Sequence, residues 1–328
     1  MYNIYDINLQ LFAGNMNTQT TGTSTLSPEM KVYYSDYLID NAVPKLVHDQ
    51  FGQKHPIPKN GGKQIEFRKY SPLPKLLTAL TEGVTPDGQS LTVTTLTAEV
   101  AQYGGYVTLS DMLMLTAIDN NLVQATKLLG NQAGATLDTI TREVLNGGTN
   151  VVYSGGVSAR TALTATHKLT VDDIKKAVRA LKNQNAEKIG DSYVGIIHPD
   201  ISYDLTNDPA WVNVKEYDPK DWYEGEIGRI AGVRFVETTE AKIWAKAGAS
   251  GQAVYSTLIL GDNAYGVTEI EGGGLEHIVK QLGSAGTADA LNQRATVGWK
   301  ATKVAERLVE QFMVRIESGC TFNPTENN

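Results

Sequence analysis

Apolar and polar positions alternate along this chain with two different periods, and the changes of period mark its parts. Residues 1–14 place Ile7, Leu9 and Leu11 at every second position, with Phe12 following, the pattern of a short strand or docking segment. Residues 15–25 (Asn-Met-Asn-Thr-Gln-Thr-Thr-Gly-Thr-Ser-Thr) have little to bury and read as a tether. An apolar tip on such a tether is either a loose tail or an arm that docks on another surface. Ser27-Pro28-Glu29 then opens a helix, with Ser27 at the N-cap, Pro28 in the first turn and Glu29 at the positive end of the dipole. Tyr33, Tyr37, Leu46, Val47 and Phe51 give it an apolar face, Pro44 kinks or divides it, and Gly52 stops it.

From residue 63 the period is two. Lys63–Tyr70, with Ile65 and Phe67 on one side, predicts a half-buried strand. Residues 71–90 hold Pro72, Pro74, Gly83, Pro86 and Gly88 and form an irregular excursion. A second strand run covers 91–109. Its apolar phase moves from Leu91 and Val93 to Leu96, Ala98 and Val100, which predicts a bulge or bend near Thr94-Thr95. The block 55–109 is thus two strands around a long projecting loop, a feature compact domains seldom keep without a use.

Ser110-Asp111 caps a helical region reaching about Asn146, with a seam at Met112, Leu115, Leu122, Thr126, Leu129, Ala133, Thr136, Ile140 and Val144. Asp119-Asn120-Asn121 divides it into a short helix and a long one, and Gly147-Gly148 ends it. Residues 149–164, rich in Gly, Ser and Thr, form a boundary. Beyond it, helices and strands alternate as in a separate α/β domain. Thr170-Val-Asp-Asp173 starts a helix with Ile174, Ala177, Val178 and Leu181 inward. Strands are predicted at Tyr193–Ile197, Val233–Val236, Val254–Leu260 and His277–Leu282. After a loop over 283–294, strand alternation returns at Val297, Trp299 and Ala301 and at Phe312, Val314 and Ile316. No internal repeat is visible.

Composition narrows the function. The 328 residues are 41% hydrophobic and 20% charged, as in a folded protein with room for about two domains. The formal net charge is −7, a poor match to tight non-specific DNA binding, which needs many Lys/Arg contacts to phosphates. A container can still enclose DNA without gripping it. The one cysteine, Cys320, allows no internal disulfide and no Cys-based zinc site. The first basic residue is Lys31, so the start does not resemble a secretory signal, and no apolar run is long enough to span a membrane.

Candidate chemistry is sparse. His48, His55, His167, His198 and His277 form no zinc motif, and no phosphate-binding glycine loop or nucleophile elbow is present. His198-Pro199-Asp200, after a predicted strand, is the best catalytic candidate; its plainer reading is a strand-to-helix turn. Glu269 and Glu271 are either a cation-binding pair or a solvated edge. Cys320 lies in the tail with no nearby His in sequence. Lys175, Lys176, Arg179 and Lys182 make a basic helix face, which is either solvated or meets an acidic neighbour or nucleic acid. No catalytic, cofactor-binding or metal-binding residue is assigned. An unburied arm and a projecting hairpin instead suit an assembly protein, because neighbours can cover them.

Five segments carry a resemblance. Leu80–Pro86, Gly195–Asp200, Gly225–Thr238, Leu258–Gly261 and Ala295–Lys300 occur in an order that resembles the major capsid proteins of tailed bacteriophages, and Ile7–Ala13 is similar to the start of many of them. The resemblance covers about 28–319. It implies an α+β, Hong Kong 97-like capsid fold: an N-terminal arm and helix (1–54), an extended E-loop (55–100), a peripheral domain with a long spine helix (101–164 and 281–328) and an inserted axial domain (165–280). It also implies no enzymatic activity, no cofactor and no membrane. The implied product is an icosahedral virion shell of pentamers and hexamers around double-stranded DNA, built in the host bacterial cytoplasm, with scaffolding, portal and decoration proteins as further partners. A non-viral compartment shell of the same fold and, behind it, a hydrolase-like α/β enzyme using His198 and Asp200 are the alternatives. Lys59, Lys63, Lys69 and Lys75 lie in the E-loop region, but no matching Asn and acid are identifiable, so no self-cross-link is expected. A covalent ladder on a denaturing gel of mature particles would overturn that.

Overall fold

A computed structural model describes residues 18–19, 47–79, 82–83, 85, 87–116, 121–211, 228–284 and 289–328. The expected strand over 1–14, and the helix from Ser27 with its kink at Pro44 as far as residue 46, lie outside the described residues; the expected end of that helix, 47–52, is turn and not helix. The chain forms two compact units: one from 1–46, 102–137 and 273–302, the other from 47–101, 138–272 and 303–328.

In the first unit, β1 (Thr18–Gln19), within the stretch expected to be a tether, pairs in parallel with β5 (Ala101–Ser110) at Thr108 and Leu109. β5 lies beside the first half of β14 (Arg294–Arg307), whose other neighbour is β13 (Glu276–Lys280), antiparallel from Glu276↔Lys300 to Lys280↔Thr296. Glycine lets β5 and β14 approach closely: a Cβ on Gly298 would lie 2.9 Å from the Gly105 carbonyl oxygen. The Trp299 indole N–H donates to Gln132 Oε1 at 3.1 Å. Ser110 caps α1 (Asp111–Thr116), its Oγ accepting from Leu113 N at 3.2 Å. The predicted seam is wrong at this helix, because Met112 and Leu115 are exposed and Leu113 is buried.

The long helix α2 (Asn121–Asn146) has 26 residues, about 39 Å at about 1.5 Å per residue. Leu122, Thr126, Leu129 and Ala133 are buried as the seam predicts, but its later members Thr136, Ile140 and Val144 are only half-buried. Beyond Ala133 the buried line moves to Leu137, Asp138, Thr141, Arg142 and Leu145. A helix of 3.6 residues per turn cannot hold one narrow stripe for seven turns, and the contacts of its second half include buried charge.

The second unit is organised by a seven-stranded sheet in the order β6-β15-β11-β7-β9-β8, with β10 also on β11. Its strands are β6 (Val151–Tyr153), β7 (Tyr193–Ile197), β8 (Arg229–Ile230), β9 (Val233–Glu237), β10 (Ile243–Trp244), β11 (Val254–Leu260) and β15 (Met313–Ser318). The three strands β7, β11 and β15 are buried along their whole length; β7 is an apolar run, β11 is one interrupted by Ser256 and Thr257, and β15 buries Arg315 and Glu317 among its apolar residues. The segment 165–280 does not close this sheet alone: β6 and β15, from either side of it, complete one end. One face carries Tyr193, Ile197, Val233, Phe235, Tyr255, Ile259, Val314 and Ile316. It packs with Ile174, Ala177, Val178 and Leu181 of α3 (Val171–Asn183) and Ile201 and Leu205 of α4 (Pro199–Thr206). The other face presents Ile196, Leu258, Leu260 and Met313 to Leu145 and Tyr265. Thr170 caps α3 by accepting from Asp173 N at 3.3 Å, as the capping pattern predicts.

Elsewhere in this unit, the second half of β14 pairs with β12 (Tyr265–Thr268), which pairs in parallel with β2 (Gln53–Lys54). The projecting hairpin is β3 (Gln64–Tyr70) against β4 (Val93–Glu99), with Ile65↔Ala98 and Phe67↔Leu96 as partners on its buried side. The bend predicted near Thr94-Thr95 is absent, since β4 runs unbroken through both. The interruption falls at Val100, whose N–H donates to the Lys63 carbonyl at 2.8 Å, between β4 and β5. The phase change instead records where burial stops: Leu91 and Val93 are exposed and Leu96 and Ala98 are not.

Candidate assembly surfaces

The hairpin is the strongest functional feature in the second unit. Its pairing continues to Tyr70↔Val93, and beyond that point the chain leaves regular structure while staying apolar. Tyr70, Leu73, Leu76, Leu77, Leu91 and Val93 are all exposed, Leu76 at 77% and Leu77 at 89%. A single exposed leucine is ordinary, but six large apolar side chains at one end of a hairpin mark an interaction surface. Lys59, Lys63, Lys69 and Lys75 are likewise exposed, and Lys63 forms an ion pair with Glu99 across the hairpin base.

The basic face of α3 is solvent-facing, with Lys175, Lys176, Arg179 and Lys182 all exposed. Lys176 is held by Asp172 at 2.8 Å and Asp173 at 3.2 Å, which keep its ammonium above the usual range. Lys175, Arg179 and Lys182 have no acidic side chain within ion-pair distance among the described residues.

The catalytic candidate resolves into a cap. His198 is the N-cap of α4, and its Nδ1 accepts from Asp200 N at 3.1 Å. That bond needs a neutral imidazole, and burial pushes the His198 pKa down against the opposing pull of Asp200 and Glu237. Asp200 accepts from the Tyr255 hydroxyl at 2.7 Å. The neighbouring groups that could act as nucleophiles are held protonated: burial raises the Tyr255 hydroxyl far above its usual range and the Cys320 thiol to about 12. Cys320 is not in a loose tail. It is fully buried against α4, with Sγ 3.5 Å from the Asp200 carbonyl oxygen. Glu269 and Glu271 are exposed on either side of Ile270, which bridges Ile57. Among the described residues no group of three or more His, Cys, Asp or Glu could hold a metal ion, and no helix is long and apolar enough to cross a membrane.

Buried charge is what sequence reasoning missed. Asp138 on α2 accepts from His48 N at 2.8 Å and lies 2.6 Å from His48 Nδ1, with both side chains fully buried. Asp49 accepts from Thr141 Oγ1 at 2.5 Å and pairs with Lys303, and the Tyr265 hydroxyl donates to the His48 carbonyl. Burial lowers the Lys303 pKa although Asp49 stands against it. A second knot joins β15 to the chain after β6: the buried Glu317 receives two hydrogen bonds of 2.7 Å from Arg160 and one of 2.8 Å from Arg315. The Arg160 guanidinium also lies 3.7 Å from the centre of the Trp244 ring. Partners such as Asp138 and His48 stand 90 residues apart in sequence, so no local pattern announces them.

The second unit is thus a mixed sheet and helices knitted by buried ion pairs, with six exposed large apolar side chains at the end of a projecting hairpin. The chain belongs to the phage capsid protein family, whose sequence profile matches residues 93–305. No curated protein matches by sequence. Among solved structures, the capsid asymmetric unit of cyanophage Pam1 is similar with a TM-score of 0.67 at 17% identity, covering 95% of this chain and 99% of that one. The capsid of Ralstonia phage GP4 gives 0.65 at 15% identity, covering 84% and 89%. A virus-like particle from Pyrococcus furiosus is less similar, with 0.51 at 10% identity, covering 87% and 98%. The fold is thus that of phage capsid structures, and the family makes this chain a structural head subunit.

Proposed function

We propose that this chain is the major shell subunit of a tailed phage head, assembling into pentamers and hexamers that enclose double-stranded DNA without reading its sequence. In this reading residues 1–54 are an arm, the β3–β4 hairpin lies in an extended loop over 55–100, and α2 is the spine helix of a peripheral domain (101–164 and 281–328). Residues 165–280 form the axial domain. Scaffolding, portal and decoration proteins are its further partners, and the shell is built in the cytoplasm of the host bacterium. The observation that carries the reading is the exposed apolar end of the hairpin, which supports a neighbouring subunit as its cover. The net charge of −7 suits a wall that encloses nucleic acid without holding it.

A second reading, a shell that encloses no genome, draws on the likeness to the Pyrococcus furiosus virus-like particle. Electron microscopy and sedimentation of the expressed protein, alone and with a scaffolding partner, test both. Closed shells are the expected result, and the content of particles purified from the producing host separates the readings: packaged double-stranded DNA for a virus, none for a compartment. A protein that stays monomeric under every assembly condition, or one with His198-dependent turnover, would sink both.

A further inference from the structure

The sheet of the second unit ends on a hairpin that sets two arginines against each other. β8 and β9 pair antiparallel with Arg229↔Arg234 and Ile230↔Val233. The turn between them has only Ala231 and Gly232, both left-handed at φ 51° and 83°. A two-residue turn with positive φ at both positions fixes the register of a hairpin, and Ala is an uncommon residue to place there. Ile230 and Val233 bury themselves in the core, so Arg229 and Arg234 are both turned to the opposite face, where both are exposed. Directly opposed residues stand about 4.5–5.5 Å apart at Cβ, and like charges so placed repel. Neither arginine has a carboxylate within ion-pair distance among the described residues, and the Arg234 guanidinium lies 6.0 Å from the Phe51 ring centre. β8 is the last strand of the sheet order, so the pair stands at an edge.

We propose that Arg229 and Arg234 form a cationic clamp for a carboxylate of a second copy of this chain. The proposal rests on the reading of the protein as an assembling subunit. Two guanidinium groups set directly opposite one another repel, and the arrangement becomes favourable when one anion lies between them, since each offers a planar fork of donors. The chain has 36 Asp and Glu against 29 Lys and Arg, so its own copies are an abundant source of carboxylates. Binding along a nucleic acid backbone draws on many cations at once, and this edge offers two.

The discriminating variant is Arg234→Glu in the full chain. It replaces a repelling cross-strand pair by an attracting one, so the unassembled subunit melts at the wild-type temperature or above it. Assembly, followed by light scattering and sedimentation at low salt, requires a subunit concentration about tenfold higher. Arg229→Gln, which removes one charge without adding another, shifts assembly in the same direction by less, and added salt narrows the gap between each variant and wild type. Cross-linking mass spectrometry of wild-type shells places an Asp or Glu of a neighbouring copy beside the hairpin. Assembly of Arg234→Glu at the wild-type concentration overturns the clamp and leaves the shell reading intact, whereas a wild-type protein that forms no shell fails that reading first. Normal assembly with loss of binding to a short DNA duplex in both variants would make phosphate the ligand and overturn the carboxylate.

Discussion

Gly319 follows β15 and has no room for a side chain: a Cβ there would lie 2.1 Å from the Thr164 carbonyl oxygen and 2.9 Å from its carbon. Both obstacles are backbone, so no rotamer change relieves them. Gly319→Ala is expected to lower stability by at least about 1–3 kcal/mol, read as the urea midpoint, whereas Gly88→Ala, with open space around it, is neutral or slightly stabilising. His198 supplies a pH dependence. Its folded pKa is lowered by burial, so the unfolded chain takes up the proton first as pH falls below about 6.5. Stability is therefore fully retained above that value, declines as pH drops through it, and levels off once the folded pKa is passed. His198→Asn keeps an N-cap acceptor without the proton and is expected to flatten the melting temperature between pH 7.5 and 5.5; an unchanged slope would clear His198 of that role. The sequence does not show that the His198 ring itself caps the helix, but it shows the turn, because His-Pro-Asp after an apolar strand is local information. The fit of Gly319 against Thr164 is not, since it depends on a segment brought in from elsewhere in the chain.

Elements differ in the same way. α3 is readable because its cap and its buried positions recur within one stretch, and β7 and β11 because strands buried on both faces are mostly apolar, β11 breaking only at Ser256 and Thr257. α2 is readable in extent and only half readable in face. A charged residue in a helix reads as solvent-facing, yet Asp138 and Arg142 are buried; Arg142 donates to the Glu240 carbonyl at 2.8 Å, and Asp138 answers two donors of His48. The energetic consequence is asymmetric. Asp138→Ala strands both donors of a fully buried residue and is expected to cost about 3–5 kcal/mol in urea unfolding. A double replacement, His48→Leu with Asp138→Leu, removes the imidazole donor together with its acceptor but leaves the backbone N–H of residue 48 without one, so it is expected to recover only part of that loss. If the double variant is as unstable as the sum of the singles, the pair is not coupled and the packing around it decides the outcome.

The whole molecule spends its apolar residues in two ways, and the hairpin separates them. Within the second unit, β7, β11 and β15 bury theirs in a sheet that holds itself together, while the end of the β3–β4 hairpin leaves Leu73, Leu76 and Leu77 in solvent. A fold that needed these leucines for its own stability would have covered them. Replacing Leu76 and Leu77 by Ser therefore removes little from the isolated subunit, within about 0.5 kcal/mol per site for exposed positions without special contacts. The same change takes two large apolar side chains from a surface that a neighbour would cover, at about 25 cal/mol for each Å² no longer buried. That loss recurs at every subunit of a shell, so a modest effect per contact becomes a large one for the particle. The double variant is expected to melt like wild type, keep its circular dichroism and fail to form shells visible by electron microscopy. Shells at wild-type yield would mean that the hairpin end is not an assembly contact. A lowered melting temperature would mean instead that these leucines serve the subunit's own core, against the exposure on which the proposed function rests.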